Sequence, residues 1–451
     1  MMKDNVPNGY KQTEVGVIPE DWEVTRLGEV STFLSGGTPS RSNASFWAGN
    51  IPWISATSLR RFFIFTSDSN VTKEAVEKGS KIAPIGSTLL LVRGSALHKE
   101  ILSGLVTGTV CFNQDVKALV PCSKILPKYL TYITRGKAND LLRLVSSAGN
   151  TAGVLDTKLL KKFRFPLPPT KNEQEAIAEA LGDADAWIES LEKLINKKRL
   201  IKQGAMQELL TAKRRLPGFE EEWGEKRLGD CLEQNPSYGI NAPAVPYHGN
   251  LPKYLRITDI TEDGRFKPDP LVAVDSKMAS RYFLQKGDVV FARTGASVGK
   301  SYRYRPEDGM LVFAGFLIRI QTNQTMLDSS YFSLWAHSEM YWKWVKIMSM
   351  RSGQPGINGK EFSELILRVP PIEEQTAIAE VLSDMDAEIE ALEAKLEKAR
   401  RIKEGMMAEL LTGKTRLVSS DLIPFRYTQE EPELLMVAET FDSGETNTSG
   451  V

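Results

Sequence analysis

From residue 378 onward, apolar residues recur in alternating steps of four and three: Ile378, Leu382, Met385, Ile389, Leu392, Leu396, Ala399, Met406 and Leu410, with Lys403 the one polar interruption. That period is a heptad seam, and it predicts a coiled-coil helix of about 40 residues, several times the usual globular length. Ile177, Leu181, Ala184, Ile188, Leu191 and Ile195 repeat the seam more loosely. A surface helix packed on its own domain is the plainer reading of either stretch. Each helix is entered through a double proline, Pro168-Pro169 and Pro370-Pro371, and in the first Thr170 with Glu173 matches a capping box. Elsewhere short β-branched and aromatic runs such as "GSTLLLVRG" and "GDVVFARTG" alternate with Gly, Pro, Ser and Asn turns, which predicts globular α+β domains.

The pattern is written twice. At a constant offset of 201, residues 172–216 and 373–417 are roughly 60% identical. The same offset pairs Trp22, Arg26, Leu27 and Gly28 with Trp223, Arg227, Leu228 and Gly229. The expected organisation is a globular domain over 1–167, a helix over 168–216, a second domain over 217–369, a second helix over 370–417, and a polar tail over 418–451 with a disordered end. The first half of each helix is acidic and the later part basic, so parallel pairing would set acid against acid. An antiparallel pair is expected. Gly204 and Gly405 share one repeat position inside the helices, explained either by close backbone approach or by fraying.

Composition narrows the chemistry. The 57 basic and 57 acidic residues cancel, which neither advertises nor excludes a polyanion partner. Three cysteines without paired spacing and three isolated histidines argue against a disulfide frame, a zinc site or histidine-based catalysis. No apolar run reaches membrane-spanning length, so a soluble cytoplasmic protein without membrane partner is expected. The stretch "RTGASVGKS" ends like a phosphate-binding loop in Gly299-Lys300-Ser301. Thr294 stands where the first glycine belongs, and Pro306 and Gly309 stand where the helix should run. It is not read as a nucleotide site, and no cofactor is expected.

Two globular units closing in "PLPP…NEQEAIAEAL" and "RVPPIEEQTAIAEVL", each followed by a helix ending "QELLTAKRRL" or "AELLTGKTRL", resemble the specificity subunits of type I restriction-modification enzymes. The resemblance covers the chain to about residue 417. It implies an α+β fold of two tandem target recognition domains, separated by two long helices that form an antiparallel coiled coil with internal pseudo-twofold symmetry. It further implies that each domain reads one half of a split sequence in double-stranded DNA. The helices would be ruler and docking surface for methyltransferase subunits, two in number, with restriction and translocase subunits joining through the complex. Catalysis, both adenine methylation from S-adenosylmethionine and ATP-driven cleavage, would belong to those partners. Helix pairing is expected through Ile177, Leu181, Ile188 and Leu191 with Ile378, Leu382, Ile389 and Leu392.

Within this family "ARTGASVGK" looks like an Arg-Thr-Gly-Ala turn, which puts Arg293, Thr294 and Lys300 forward as DNA contacts. Arg93 and Lys99 of "LVRGSALHK" are their counterparts. Thr38 and Arg41 of "SGGTPSR", Arg60 of "WISATSLRR", and Arg256 and Thr258 of "LRITDITEDGR" are further candidates. Asn150 and Gln354 lie in paired loops where an amide side chain suits a base edge. Each is equally a solvated turn residue. Three other readings stay open: a coiled-coil scaffold with protein-binding ends, an enzyme in its own right, and a specificity subunit serving a different cleavage partner. Against the enzyme, no Asn/Asp-Pro-Pro-Tyr/Phe methyltransferase motif is present.

Overall fold

The computed structural model describes residues 6–148, 152–350 and 355–417. They fall into two compact units. One holds the residues up to Ile188 with those from Lys398 onward; the other is Glu189–Glu397. The division passes through the middle of both long helices, Lys171–Leu209 and Ile372–Leu410. Each unit therefore contains one globular part, the first half of the helix that follows it, and the second half of the other helix.

The globular parts share a frame. In the first unit Ser31–Ser35, Val116–Pro121, Thr88–Leu91, Ser103–Val106 and Phe63–Ile64 form one sheet in that order, antiparallel except for the last pair. In the second unit Ser237–Tyr238, Leu317–Gln321, Asp288–Ala292 and Ser301–Arg303 form an antiparallel sheet of the same order. The central strands "TLLL" and "DVVFA" are buried at every position, as the apolar runs after their first residue demand of a strand covered on both faces. A second small sheet repeats as well: Cys111–Phe112 runs parallel to Ile51–Ile54, as Leu311–Phe313 does to Lys253–Leu255.

The helix ends close each core. Trp22, Ile177 and Leu181 cluster with Leu410 and Leu411, and Trp223, Ile378 and Leu382 cluster with Leu209 and Leu210. At ~1.5–3 kcal/mol per fully buried large apolar side chain, these contacts bind helix ends that lie far away in sequence. Inside each cluster stands a carboxylate. Glu173 accepts hydrogen bonds from Trp22 Nε1 (3.3 Å) and from Arg416 (2.9 Å), and Glu374 accepts from Trp223 Nε1 (3.2 Å) and Arg215 (2.5 Å). The expected capping box forms only by half: Thr170 Oγ1 accepts the Glu173 N–H at 3.3 Å, but the Glu173 carboxylate is turned to Trp22 and Arg416.

In the second unit Lys198 pairs with Glu388 (2.6 Å), Lys202 with Asp386 (2.6 Å) and Arg199 with Glu393 (2.5 Å). In the first, Lys403 pairs with Asp185. These are contacts of basic with acidic helix halves. Of the seam, Ile177, Leu181, Leu191, Ile378, Leu382 and Ile389 are buried, and Ile188 and Leu392 are half-buried. A Cβ on Gly204 or Gly405 would meet nothing within 4 Å, so close backbone approach does not explain these glycines; both stand within the last two turns of their helices, which end at Leu209 and Leu410.

The globular part of the second unit is tied to the helices by charge. Arg265 bonds Glu393 (2.9 Å) and Arg305 bonds Glu390 (3.0 Å). His337 lies behind Gly264, its Nδ1 2.8 Å from the Ser333 carbonyl, and burial pushes its pKa down, with Lys202 adding to the effect and Asp263 and Asp386 opposing it. An imidazole whose folded pKa lies below its unfolded value of about 6.5 contributes stability that is fully present above that pH and is lost as pH falls from there through the folded pKa. Acidifying from pH 7 to 5 is therefore expected to destabilise the second unit, by at most ~1.4 kcal/mol per pH unit for this group. His337→Gln should flatten that slope in pH-dependent urea unfolding; an unaltered slope would clear His337 of the effect.

Candidate nucleic-acid interface

The two arginine turns occupy one position in the duplicated frame, but their arginines stand one residue out of step: by register and backbone bonds the buried Val92 is the counterpart of Arg293, and Arg93 is the counterpart of Thr294. In the first unit Arg93 leaves the buried strand Thr88–Leu91, and its backbone N–H donates to the Asp115 carbonyl (3.2 Å). Arg93 and Gly94 then pair with Val154 and Gly153, and a helical turn over Ser95–His98 delivers Lys99. Both basic side chains are exposed and have no side-chain partner among the described residues. In the second unit Arg293 leaves Asp288–Ala292, and its N–H donates to the Phe316 carbonyl at 3.0 Å. Its Nε donates to the Gly315 carbonyl (3.1 Å), and its guanidinium lies 5.0 Å from the centre of the Tyr238 ring.

Glycine is required where this second turn reverses. Gly295 and Gly299 have φ of +75° and +89°, which a side chain would strain. A Cβ on Gly299 would also sit 2.7 Å from Val345, while the Gly299 carbonyl accepts a hydrogen bond from the buried Tyr341 hydroxyl at 2.7 Å. Thr294 bridges to Gly356, and Lys300 forms an ion pair with Glu262 at 2.6 Å. A strand, Ser301–Arg303, follows Lys300. The helix start that a phosphate-binding loop needs is absent here.

The remaining candidates differ in how free they are. Thr38 bonds Gln114 at 2.5 Å, beside the Asp115 carbonyl that holds Arg93, and Arg60 pairs with Glu100 (3.2 Å), the neighbour of Lys99. Thr38, Arg60, Arg93 and Lys99 thus gather around two adjoining turns. Arg41 is stacked against Trp47 and Trp53, at 4.9 and 5.6 Å. Arg256 is committed internally: it bonds the buried Asp259 at 2.6 Å and the Pro270 carbonyl at 3.1 Å. Thr258 beside it is exposed. Asn150 and Gln354 lie outside the described residues.

Sequence reasoning missed the side chains that surround the arginines. Tyr238 and Phe316 stand 44% and 55% exposed at the second turn. Their counterparts in the first unit are Ser35 and Asp115. Ser35 pairs in register with Lys117 as Tyr238 does with Ile318, and the Asp115 carbonyl holds the Val92 N–H (2.8 Å) as Phe316 holds that of Arg293. The offset of 201 was the available signal for the second pair, since it sets "FNQD" against "FAGF". Strands as short as two residues hid the first.

The model for the family described as type I restriction modification DNA specificity domain matches this chain twice, over residues 19–198 and 220–401. The chain belongs to that family. It is 35% identical over 184 residues to the type I restriction enzyme EcoR124I/EcoR124II specificity subunit of Escherichia coli, a match covering 40% of this chain and 44% of that one. A type I restriction enzyme specificity subunit of Methanocaldococcus jannaschii, MjaVIII, is 25% identical over 419 residues, 89% of this chain and 94% of that relative. The fold is similar to the crystal structure of a type I restriction-modification system S subunit from M. genitalium, with a TM-score of 0.55 at 14% identity, covering 91% of this chain and 98% of that one. Membership agrees with the duplicated fold: each family match takes in one globular part and most of the helix after it.

Proposed function

We propose that this chain is the DNA sequence-specificity subunit of a type I restriction-modification complex, reading one half of a bipartite duplex target with each unit. The observation that carries the reading is a turn built twice on one backbone frame in two family-matched domains, bearing an arginine in both copies one position apart and different side chains around it. A shared frame with altered contacts is what two related readers of different half-sites require. Catalysis is assigned to partner subunits: two methyltransferase subunits docked on the helices, and restriction and translocase subunits recruited through the complex. The long helices are read as an antiparallel coiled coil that sets the unread spacer. Ion pairs such as Lys202–Asp386 and Lys403–Asp185, together with the buried seam, support that assignment.

The test is the methylated motif of a host with and without this chain, where a bipartite motif should appear only in its presence. Arg93→Ala should weaken duplex binding of the complex by ~1–3 kcal/mol and relax one half-site for a base contact. For a phosphate contact it should weaken all sequences alike and lower the salt slope by about 1. A binding curve unchanged at every salt concentration would remove Arg93 from the DNA surface.

A further inference from the structure

Three features distinguish the second arginine turn from the first. Arg293 is immobilised: its Nε is spent on the Gly315 carbonyl, and its guanidinium lies against the Tyr238 ring. The ring is itself pinned, because the Tyr238 hydroxyl accepts the Gly359 N–H at 3.0 Å. The two Nη groups have no partner among the described residues. Phe316, whose carbonyl holds the arginine backbone, carries an aromatic side chain that is more than half exposed. The first unit has the same frame with Ser35 and Asp115, but the buried Val92 stands where Arg293 does, and Arg93, one residue later, has no ring beneath it among the described residues.

A guanidinium fixed through Nε and stacked on a ring can offer its two Nη groups as a fixed pair of donors. That pair fits the O6 and N7 acceptors that guanine alone presents side by side in the major groove. Fixing it before binding removes the side-chain entropy that a free arginine would lose on contact. An exposed phenylalanine at the same turn has no hydrogen bond to offer, and its match at the floor of that groove is the methyl group of thymine. Resting on the DNA-reading function above, we infer that the half-site read by the second unit contains a guanine bound by Arg293. Tyr238 is the positioning residue for that contact, and a neighbouring thymine is met by Phe316.

The experiment uses the complete complex with its methyltransferase subunits and a library of duplex targets, read out as the methylated motif and as binding to single-position variants. The half-site that changes in Arg293→Ala is the second unit's; it should contain guanine and lose at least tenfold discrimination at that base pair, with the other half-site unaltered. Tyr238→Ala should lose discrimination at the same pair, while Tyr238→Phe keeps the ring and restores it. A merely structural tyrosine would move stability and not the identity of one base. Phe316→Ala should relax a neighbouring pair at which thymine is preferred. The inference is overturned by a half-site without guanine, by full discrimination in Tyr238→Ala, or by equal losses in Tyr238→Phe and Tyr238→Ala. Uniform weakening across all sequences in Arg293→Ala would make it a phosphate contact, which overturns the inference and leaves the DNA-reading function standing. No change of binding or motif in any of these variants would take the turn off the DNA altogether.

Discussion

Gln375→Leu is expected to destabilise the second unit by about 2–5 kcal/mol, although leucine nearly matches glutamine in volume. Gln375 is fully buried at the start of the second long helix. Its Oε1 accepts the Asp328 N–H at 2.9 Å, and its Nε2 donates to the carbonyls of Met326 (3.2 Å) and Pro370 (2.9 Å). One side chain thus joins the proline entry of the helix to the loop before Ser329–Trp335. Leucine fills the space and leaves the buried Pro370 carbonyl without this partner, at ~1–3 kcal/mol, and the half-buried Asp328 N–H and Met326 carbonyl likewise at a lower cost each. Gln174 makes the same contacts in the first unit, accepting from Leu126 N–H (2.9 Å) and donating to Lys124 (3.0 Å) and Pro168 (3.3 Å). Gln174→Leu should produce a loss of similar size located in the other unit. Urea unfolding with hydrogen exchange to assign the affected unit measures both. A change under about 0.5 kcal/mol, within the range of a neutral surface substitution, would show that these amides do not hold the helix entries.

That glutamine was visible in the sequence only as a shared letter. The heptads, the double prolines and the offset of 201 are periodic signals, and they located both helices and the repeat because each depends on local spacing alone. Partners 150 residues or more away cannot be read that way. Glu173 fits a capping signature at four residues' range, yet Trp22 and Arg416, 151 and 243 residues distant, claim its carboxylate. For the same reason the sequence read as domain, helix, domain, helix, whereas the end of each long helix packs into the core of the other repeat's domain through Leu209 and Leu210 or Leu410 and Leu411. A seam shows which face of a helix is apolar and says nothing of which core receives its end.

The candidate interface divides along the same line. The arginine turns announced themselves by glycine spacing and a basic residue, and Gly295 and Gly299 do take the left-handed conformations such turns use. What separates a base-reading arginine from a solvated one lies elsewhere in the chain: Tyr238 is 55 residues upstream of Arg293 on a two-residue strand, and Phe316 is 23 downstream. Arg256 shows the reverse. In the sequence it is a candidate DNA contact or a solvated turn residue, and its fork is taken up by the buried Asp259. Replacing it would report on folding before it reported on DNA.

The proposed ruler predicts a change in the target itself. The units divide within the long helices after Ile188 and after Glu397. Four residues of strong helix formers inserted at both points would leave each unit's own ion pairs, Lys202–Asp386 in one and Lys403–Asp185 in the other, in register. Each helix gains about 6 Å and about 40° beyond one full turn. With about 3.4 Å per base pair, the unread spacer should lengthen by roughly one or two base pairs while both half-sites keep their sequence. Insertion into one helix alone would leave the partner a turn short, so it should abolish methylation or force the added turn out of the pair. The methylated motifs recovered from cells carrying each insertion with the partner methyltransferase decide the matter. A double insertion that methylates with the original spacer, or one that alters a half-site, would mean that the distance between half-sites is set by something other than the helices.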